Sequence, residues 1–108
     1  MNLPTEVFGD VIVVHTPDEL SADQADGLER FLTTLERQQV VLDLDSTEMI
    51  DSAGLCTLCD CQDNLRELGG DVKIATSNHV NRKILEITRL DQRLEVFSSV
   101  LDAVKSYR

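Results

Sequence analysis

Apolar residues fall along this chain in two alternating rhythms, and each change of rhythm marks an element boundary. Thr5-Glu6-Val7-Phe8 and Val11-Ile12-Val13-Val14-His15 are strand-like runs on either side of Gly9-Asp10, a turn pair with glycine first. That arrangement predicts a hairpin closed by a type II′ turn. The second run is almost continuously apolar, which suits a central strand buried on both faces. Thr16-Pro17-Asp18-Glu19 breaks it. Ser21 then precedes Gln24 by three residues, a capping-box pattern, and Ala25, Leu28, Phe31, Leu32 and Leu35 follow at helical spacing. Asp26, Glu29, Arg30 and Glu36 take the opposite side, so this helix is amphipathic and lies on a sheet.

Residues 40–44 form the next strand. Strand, helix and strand within about thirty residues make a βαβ unit, whose crossover is nearly always right-handed. After a short polar bend, Asp51-Ser52-Ala53-Gly54 opens a second helical stripe of Leu55, Leu58, Cys59, Gln62, Leu65 and Leu68. Gly69-Gly70 ends that helix as a C-cap. Residues 72–75 are a short strand, and Ser77 or Asn78 caps a third helix carrying Val80, Ile84, Leu85 and Ile87. Residues 94–97 read as a final edge strand, after which Ser98-Ser99 opens a last helix through Val100, Leu101 and Val104. No linker, repeat or low-complexity segment interrupts the alternation, so residues 1–108 are expected to form one domain. Its class is α/β, with a mixed, mostly parallel sheet of about four to five strands layered with about four helices.

Composition narrows what such a domain does. The length of 108 residues is near a common single-domain size, and 42% hydrophobic content is enough for a core. Aromatics make up 4% and Trp is absent, so the core is mostly Leu, Val and Ile. The net charge of −10 argues against nucleic acid as a direct partner, because binding there rests on Lys and Arg neutralising phosphates. It argues equally against an anionic membrane surface, and it fits a basic docking face on a partner protein. No apolar run approaches the roughly 20 residues that span a bilayer, which excludes membrane insertion by a helix. Met1-Asn2-Leu3-Pro4-Thr5-Glu6 lacks the basic and apolar regions of a signal peptide, so the expectation is a soluble, cytoplasmic protein.

Candidate chemistry concentrates where strand turns into helix. Ser52 brings a hydroxyl to a helix N-terminus, beside the carboxylate of Asp51 and two small residues. Free backbone N–H groups and the helix dipole favour an anion there. The residues alone favour a plain N-cap role for Ser52 over a phosphoacceptor role. Asp51 either orients the serine or contacts a partner, or it serves only as an N-terminal acid favourable to the dipole. Ala53 and Gly54 keep the corner low for an approaching enzyme, with tight helix packing the alternative for Gly54. Met49 and Ile50 either form an apolar contact patch or belong to the core, which is the default for Ile50.

Other chemistries are weaker. Cys56, Cys59 and Cys61 are odd in number, which speaks against a disulfide framework. On one helix Cys56 and Cys59 face roughly together while Cys61 points elsewhere, so three metal ligands cannot converge, and buried thiols acting as small hydrophobes are expected. His15 ends a strand and His79 begins a helix, each isolated. Ser52 lacks the glycine two residues earlier that a hydrolase nucleophile elbow uses, since Ile50 stands there. Gly69-Gly70 follows a helix instead of opening one, so there is no phosphate-cradling loop and no expectation of ATP binding or any other cofactor.

One resemblance joins these pieces. Val41-Leu42-Asp43-Leu44, then Met49-Ile50-Asp51-Ser52-Ala53-Gly54-Leu55, then Gly69-Gly70 before a short strand, resembles the STAS domain family. Ile87-Thr88-Arg89-Leu90-Asp91 followed by Val96-Phe97 is similar to its C-terminal signature. The chain looks most like the single-domain anti-sigma factor antagonists of bacteria. The resemblance implies a non-enzymatic switch whose serine, matching Ser52, is phosphorylated by a partner anti-sigma factor that is a serine kinase. Unphosphorylated antagonist binds that kinase and frees a sigma factor; phosphorylation weakens the complex, and a separate serine phosphatase resets it. It also implies that Met49, Asp51, Ser52, Ala53 and Gly54 make the partner-binding surface. Relatives usually carry a Gly-containing turn where this chain has Thr16-Pro17-Asp18-Glu19-Leu20, and tend to have Gly at the position of Arg89. The competing readings are a scaffold or transporter-associated STAS subunit that works without phosphorylation, and a serine hydrolase or metal protein using Ser52 or the cysteines.

Overall fold

Glycine at the first turn position is what lets the chain start with a tight hairpin. Gly9 takes φ +63° while Asp10 stays at negative φ, as a type II′ turn requires. Around it β1 (Thr5–Phe8) and β2 (Val11–His15) pair antiparallel, with Phe8 opposite Val11. The computed structural model describes residues 3–35 and 39–107. Glu36, expected on the polar side of the first helix, lies outside the described residues, as do Met1 and Asn2.

The remaining elements follow in chain order: β3 (Glu19–Leu20), α1 (Ala22–Thr33), β4 (Gln39–Asp43), β5 (Met49–Ile50), α2 (Ser52–Glu67), β6 (Asp71–Ala75), α3 (His79–Ile87), a 3-10 turn at Leu90–Gln92, β7 (Val96–Phe97) and α4 (Val100–Lys105). The main sheet has the order β1-β2-β4-β6-β7 and is parallel apart from the β1–β2 hairpin. The α/β class, the mixed sheet and the four helices are as expected. The strand expected over residues 94–97 is shorter, because Leu94 is buried in the core and only Val96 and Phe97 reach the ladder.

Pairing places Ile12, Val14, Val40, Leu42, Val72 and Ile74 on one face, where they bury Leu28 and Leu32 of α1, Leu58, Cys61 and Leu65 of α2 and Leu85 of α3. Val11, Val13, Val41 and Ala75 face the other way, under α4 and its Ala103. β2 and β4 are therefore apolar on both sides, which explains their unbroken hydrophobic runs.

The helix ends follow their local chemistry. Gln24 Oε1 accepts from the Ser21 backbone N–H at 3.3 Å and from the Ser21 hydroxyl. Gly69 adopts φ +86°, Gly69 N–H donates to Arg66 and Gly70 N–H to Leu65, a Schellman stop for α2. Of the two candidates for α3, Asn78 is the cap: its Oδ1 accepts from Val80 and Asn81. Ser99 caps α4 by accepting from Asp102 N–H at 3.1 Å.

Candidate functional site

A second, smaller sheet shapes the corner. β3 and β5 pair in parallel, with Glu19 opposite Met49 and Leu20 opposite Ile50. Asp18 carbonyl accepts from both Glu48 and Met49 N–H, and Leu20 carbonyl accepts from Asp51 N–H at 3.2 Å. Nothing in the local pattern announces this pairing, since each strand has two residues and its partner lies thirty positions away. Beneath it, the buried Thr16 hydroxyl donates to Asp43 carbonyl and meets the Thr47 hydroxyl, which reaches Pro17 carbonyl. Asn81 of α3 donates both amide hydrogens, to Leu44 and Thr47 carbonyls at 3.1 and 2.9 Å. The loop that delivers Met49 is thus held from two sides by satisfied buried polar groups, which rigidifies it.

At the tip the roles of Asp51 and Ser52 are the reverse of the plain N-cap reading. Asp51 is the cap, with Oδ1 accepting Gly54 N–H at 2.9 Å, and Ser52 is the first helical residue. Among the described residues the Ser52 hydroxyl makes no hydrogen bond, and the side chain is exposed. The N–H groups of Ser52 and Ala53 have no backbone acceptor among those residues either, as helix geometry leaves them. A free hydroxyl therefore stands beside two free donors and the positive end of the α2 dipole.

The other expected site residues divide. Met49 is 56% exposed and forms the apolar flank of the corner, whereas Ile50 packs into the core. Ala53 is half-buried, so it borders the surface without projecting from it. Gly54 is buried against the Leu20 main chain. Its role is the alternative one, close packing, and it offers a partner no surface.

Besides Asp51, the β3–β5 pairing gathers three exposed acidic residues, Asp18, Glu19 and Glu48, on the segments that form the corner. Acidic residues in turns give no periodic signal, so only the β3–β5 pairing reveals that they share one corner. A further cluster lies at the end of β2. The His15 ring bridges Asp43 at 2.8 Å and Glu6 at 2.7 Å. Burial alone would discharge this imidazole, but hydrogen bonds and charge from the two carboxylates outweigh it, and its pKa is raised.

The cysteines separate differently from expectation. Cys59 and Cys61 are buried and Cys56 is exposed, because α2 turns its core face toward Leu58, Cys61 and Leu65. Burial raises the Cys59 thiol and pushes Cys61 up to about 12, which suits inert core thiols. Among the described residues no three His, Cys, Asp or Glu side chains converge to hold a metal. No described helix is long and apolar enough to cross a membrane.

The family model for the STAS domain matches residues 2–103. The chain belongs to the STAS domain family. Solved structures agree on this fold. An anti-sigma factor antagonist from Mycobacterium paratuberculosis superposes with a TM-score of 0.84 at 22% identity, covering 97% of this chain and 92% of that one. A sulfate transporter family protein from Wolinella succinogenes gives 0.79 at 19% identity, over 94% and 87% of the two chains. The Bacillus cell fate determinant SpoIIAA, in its phosphorylated form, gives 0.72 at 14% identity over 99% and 100%. In this STAS domain the expected Gly positions differ as noted, and Arg89 holds a left-handed conformation, φ 61°, that glycine adopts more readily.

Proposed function

We propose that this STAS domain is an anti-sigma factor antagonist that binds an anti-sigma factor serine kinase at the Ser52 corner and is controlled by phosphorylation of Ser52. The observation that carries the reading is the exposed Ser52 hydroxyl, free of hydrogen bonds among the described residues, at the start of α2. Met49, Asp51 and Ala53 flank it, and Gly54 supports it from beneath. A phosphate adds about −1.5 to −2 charge. Free N–H groups and the dipole would hold it at no cost to the fold, while Asp18, Glu19, Glu48 and Asp51 sharpen its repulsion of a partner surface matched to the bare corner. The domain acts by binding in the cytoplasm, without catalysis, cofactor or nucleic-acid contact, and a serine phosphatase restores the bare state. The likeness to antagonists, including one solved phosphorylated, supports this reading.

Incubation with the cognate kinase and ATP, followed by mass spectrometry, tests it. Phosphate on Ser52 is expected; a normal complex with Ser52 unmodified would overturn the switch. The similarity to a sulfate transporter family protein favours a second reading, a transporter-associated scaffold. Binding to a transporter component that ignores Ser52→Asp would select it.

A further inference from the structure

We propose that the outward stripe of α3 is a separate docking surface, built for an acidic amphipathic helix of another protein. The fold needs only one side of α3: Asn81 and Leu85 are buried and anchor it. Yet Val80, Ile84 and Ile87 recur at i, i+4 and i+7 along a different side, with Lys83 among them. Val80 is 63% and Ile87 70% exposed, more than Val7, Met49, Leu68 or Leu101, the other exposed apolar side chains of similar size. The stripe spans two helical turns, the length that a helix-in-groove contact reads.

Charge selects the occupant. Four of the ten Lys and Arg residues fall between His79 and Arg93, against two acids, Glu86 and Asp91. The rest of the chain holds 18 acids and six basic residues. Arg93 turns to Asp63 at 3.6 Å, but Arg82, Lys83 and Arg89 form no ion pair among the described residues. Arg89 sits just past the end of α3 in the left-handed conformation, which is strained for a non-glycine residue. Lys83 beside the apolar stripe and Arg89 just beyond its end match carboxylates flanking apolar anchors, whereas Arg82 falls on the far side of α3. Screening confines attraction to about 8 Å at physiological salt, so these near charges outweigh the distant net charge. The Ser52 corner is acidic and would repel the same segment. A second copy of this chain, itself at −10, is a poorer match.

An NMR titration of the full chain with two designed helical peptides tests this, both with one apolar stripe, one flanked by Glu and the other by Lys. The Glu peptide should bind more tightly, shifting the amides of Val80, Lys83 and Ile87. Ile87→Glu and Lys83→Glu, both at exposed positions, should each weaken it by about tenfold or more, and Ser52→Asp should leave it unchanged. Preference for the Lys peptide, shifts confined to the Ser52 corner, or no saturation by the Glu peptide would overturn the proposal. So would a dimer in sedimentation velocity that Ile87→Glu abolishes, since a second copy would then be the occupant. Retention on anionic phosphatidylglycerol vesicles that Ile87→Glu removes would overturn it too.

Discussion

Gly54 and Leu20 meet main chain to main chain: a Cβ on Gly54 would stand 2.1 Å from the Leu20 carbonyl oxygen and 2.9 Å from its carbon. That same carbonyl accepts the Asp51 N–H, so it cannot withdraw without loosening the turn into α2. Two effects oppose each other in Gly54→Ala. Alanine is the better helix former by about 1 kcal/mol, but a contact with backbone has no flexible side chain to yield. The clash should win, with a net loss of roughly 2–3 kcal/mol and a fall in Tm of roughly 10 °C. Thermal denaturation checks it; an unchanged or higher Tm would refute the close-packing role.

Lys73 should matter for its stem at least as much as for its charge. Its buried Nζ lies 4.3 Å from the centre of the Tyr107 ring, 2.8 Å from Ser106 Oγ and 3.3 Å from Glu95. The Tyr107 hydroxyl donates in turn to Val40 and Asp71 carbonyls, fastening the chain after α4 onto β4 and β6. A six-residue helix does not hold itself together, so α4 relies on this clasp. Lys73→Met, which keeps the stem, should cost about 1 kcal/mol through the lost cation–π and hydrogen-bond contacts; Lys73→Ala should cost about 2–3 kcal/mol. Urea denaturation measures both, and hydrogen exchange should accelerate first in α4. Uniform acceleration across the sheet would argue against a local clasp.

Most of this architecture could be read from local pattern, and the omissions share a cause. Gly9-Asp10, Ser21 with Gln24, Asn78, Ser99 and Gly69-Gly70 each act within a few residues, where pattern and geometry coincide. The β3–β5 pairing joins segments that share no rhythm, so local pattern does not show that Asp18, Glu19 and Glu48 share one corner. Which of two adjacent residues caps α2 was also beyond pattern, because Asp51 and Ser52 are both good caps and only packing at Gly54 decides. In the sequence Val80 and Ile87 fall in one apolar set with Ile84 and Leu85, and only the direction in which α3 leans on Asn81 and Leu85 exposes them.

Stability should fall as pH rises through the neutral range, and His15 should be responsible. Both ring nitrogens face carboxylates, an arrangement that two donors, hence the imidazolium, satisfy best. Its folded pKa is raised above the unfolded value near 6.5. The contribution is therefore complete below about pH 6 and disappears as pH climbs past the folded pKa. Glu6 is more than half exposed, so screening limits the effect to about 0.5 kcal/mol. Urea midpoints at pH 6 and pH 8 should differ in the native chain and converge in His15→Gln. An equal slope in the variant would assign the pH dependence elsewhere.

Ser52→Asp separates the charge at the corner from the integrity of the fold. An acid at the first helical position is favourable to the α2 dipole by about 0.3–1 kcal/mol, and repulsion from Asp51 opposes it by a similar amount. Folding stability should then stay within about 0.5 kcal/mol of the native chain, as for any exposed substitution. At a partner interface no dipole offsets the added charge, and the corner's exposed acids, Asp18, Glu19, Glu48 and Asp51, are already of the same sign. If the proposed kinase docks here, Ser52→Asp should lower its affinity by about 3 kcal/mol, roughly a hundredfold, while Ser52→Ala binds like the bare protein. Calorimetric titration of both variants, with denaturation curves alongside, makes the comparison. Equal binding by the two variants would remove charge as the basis of the switch, even if Ser52 proved to be phosphorylated.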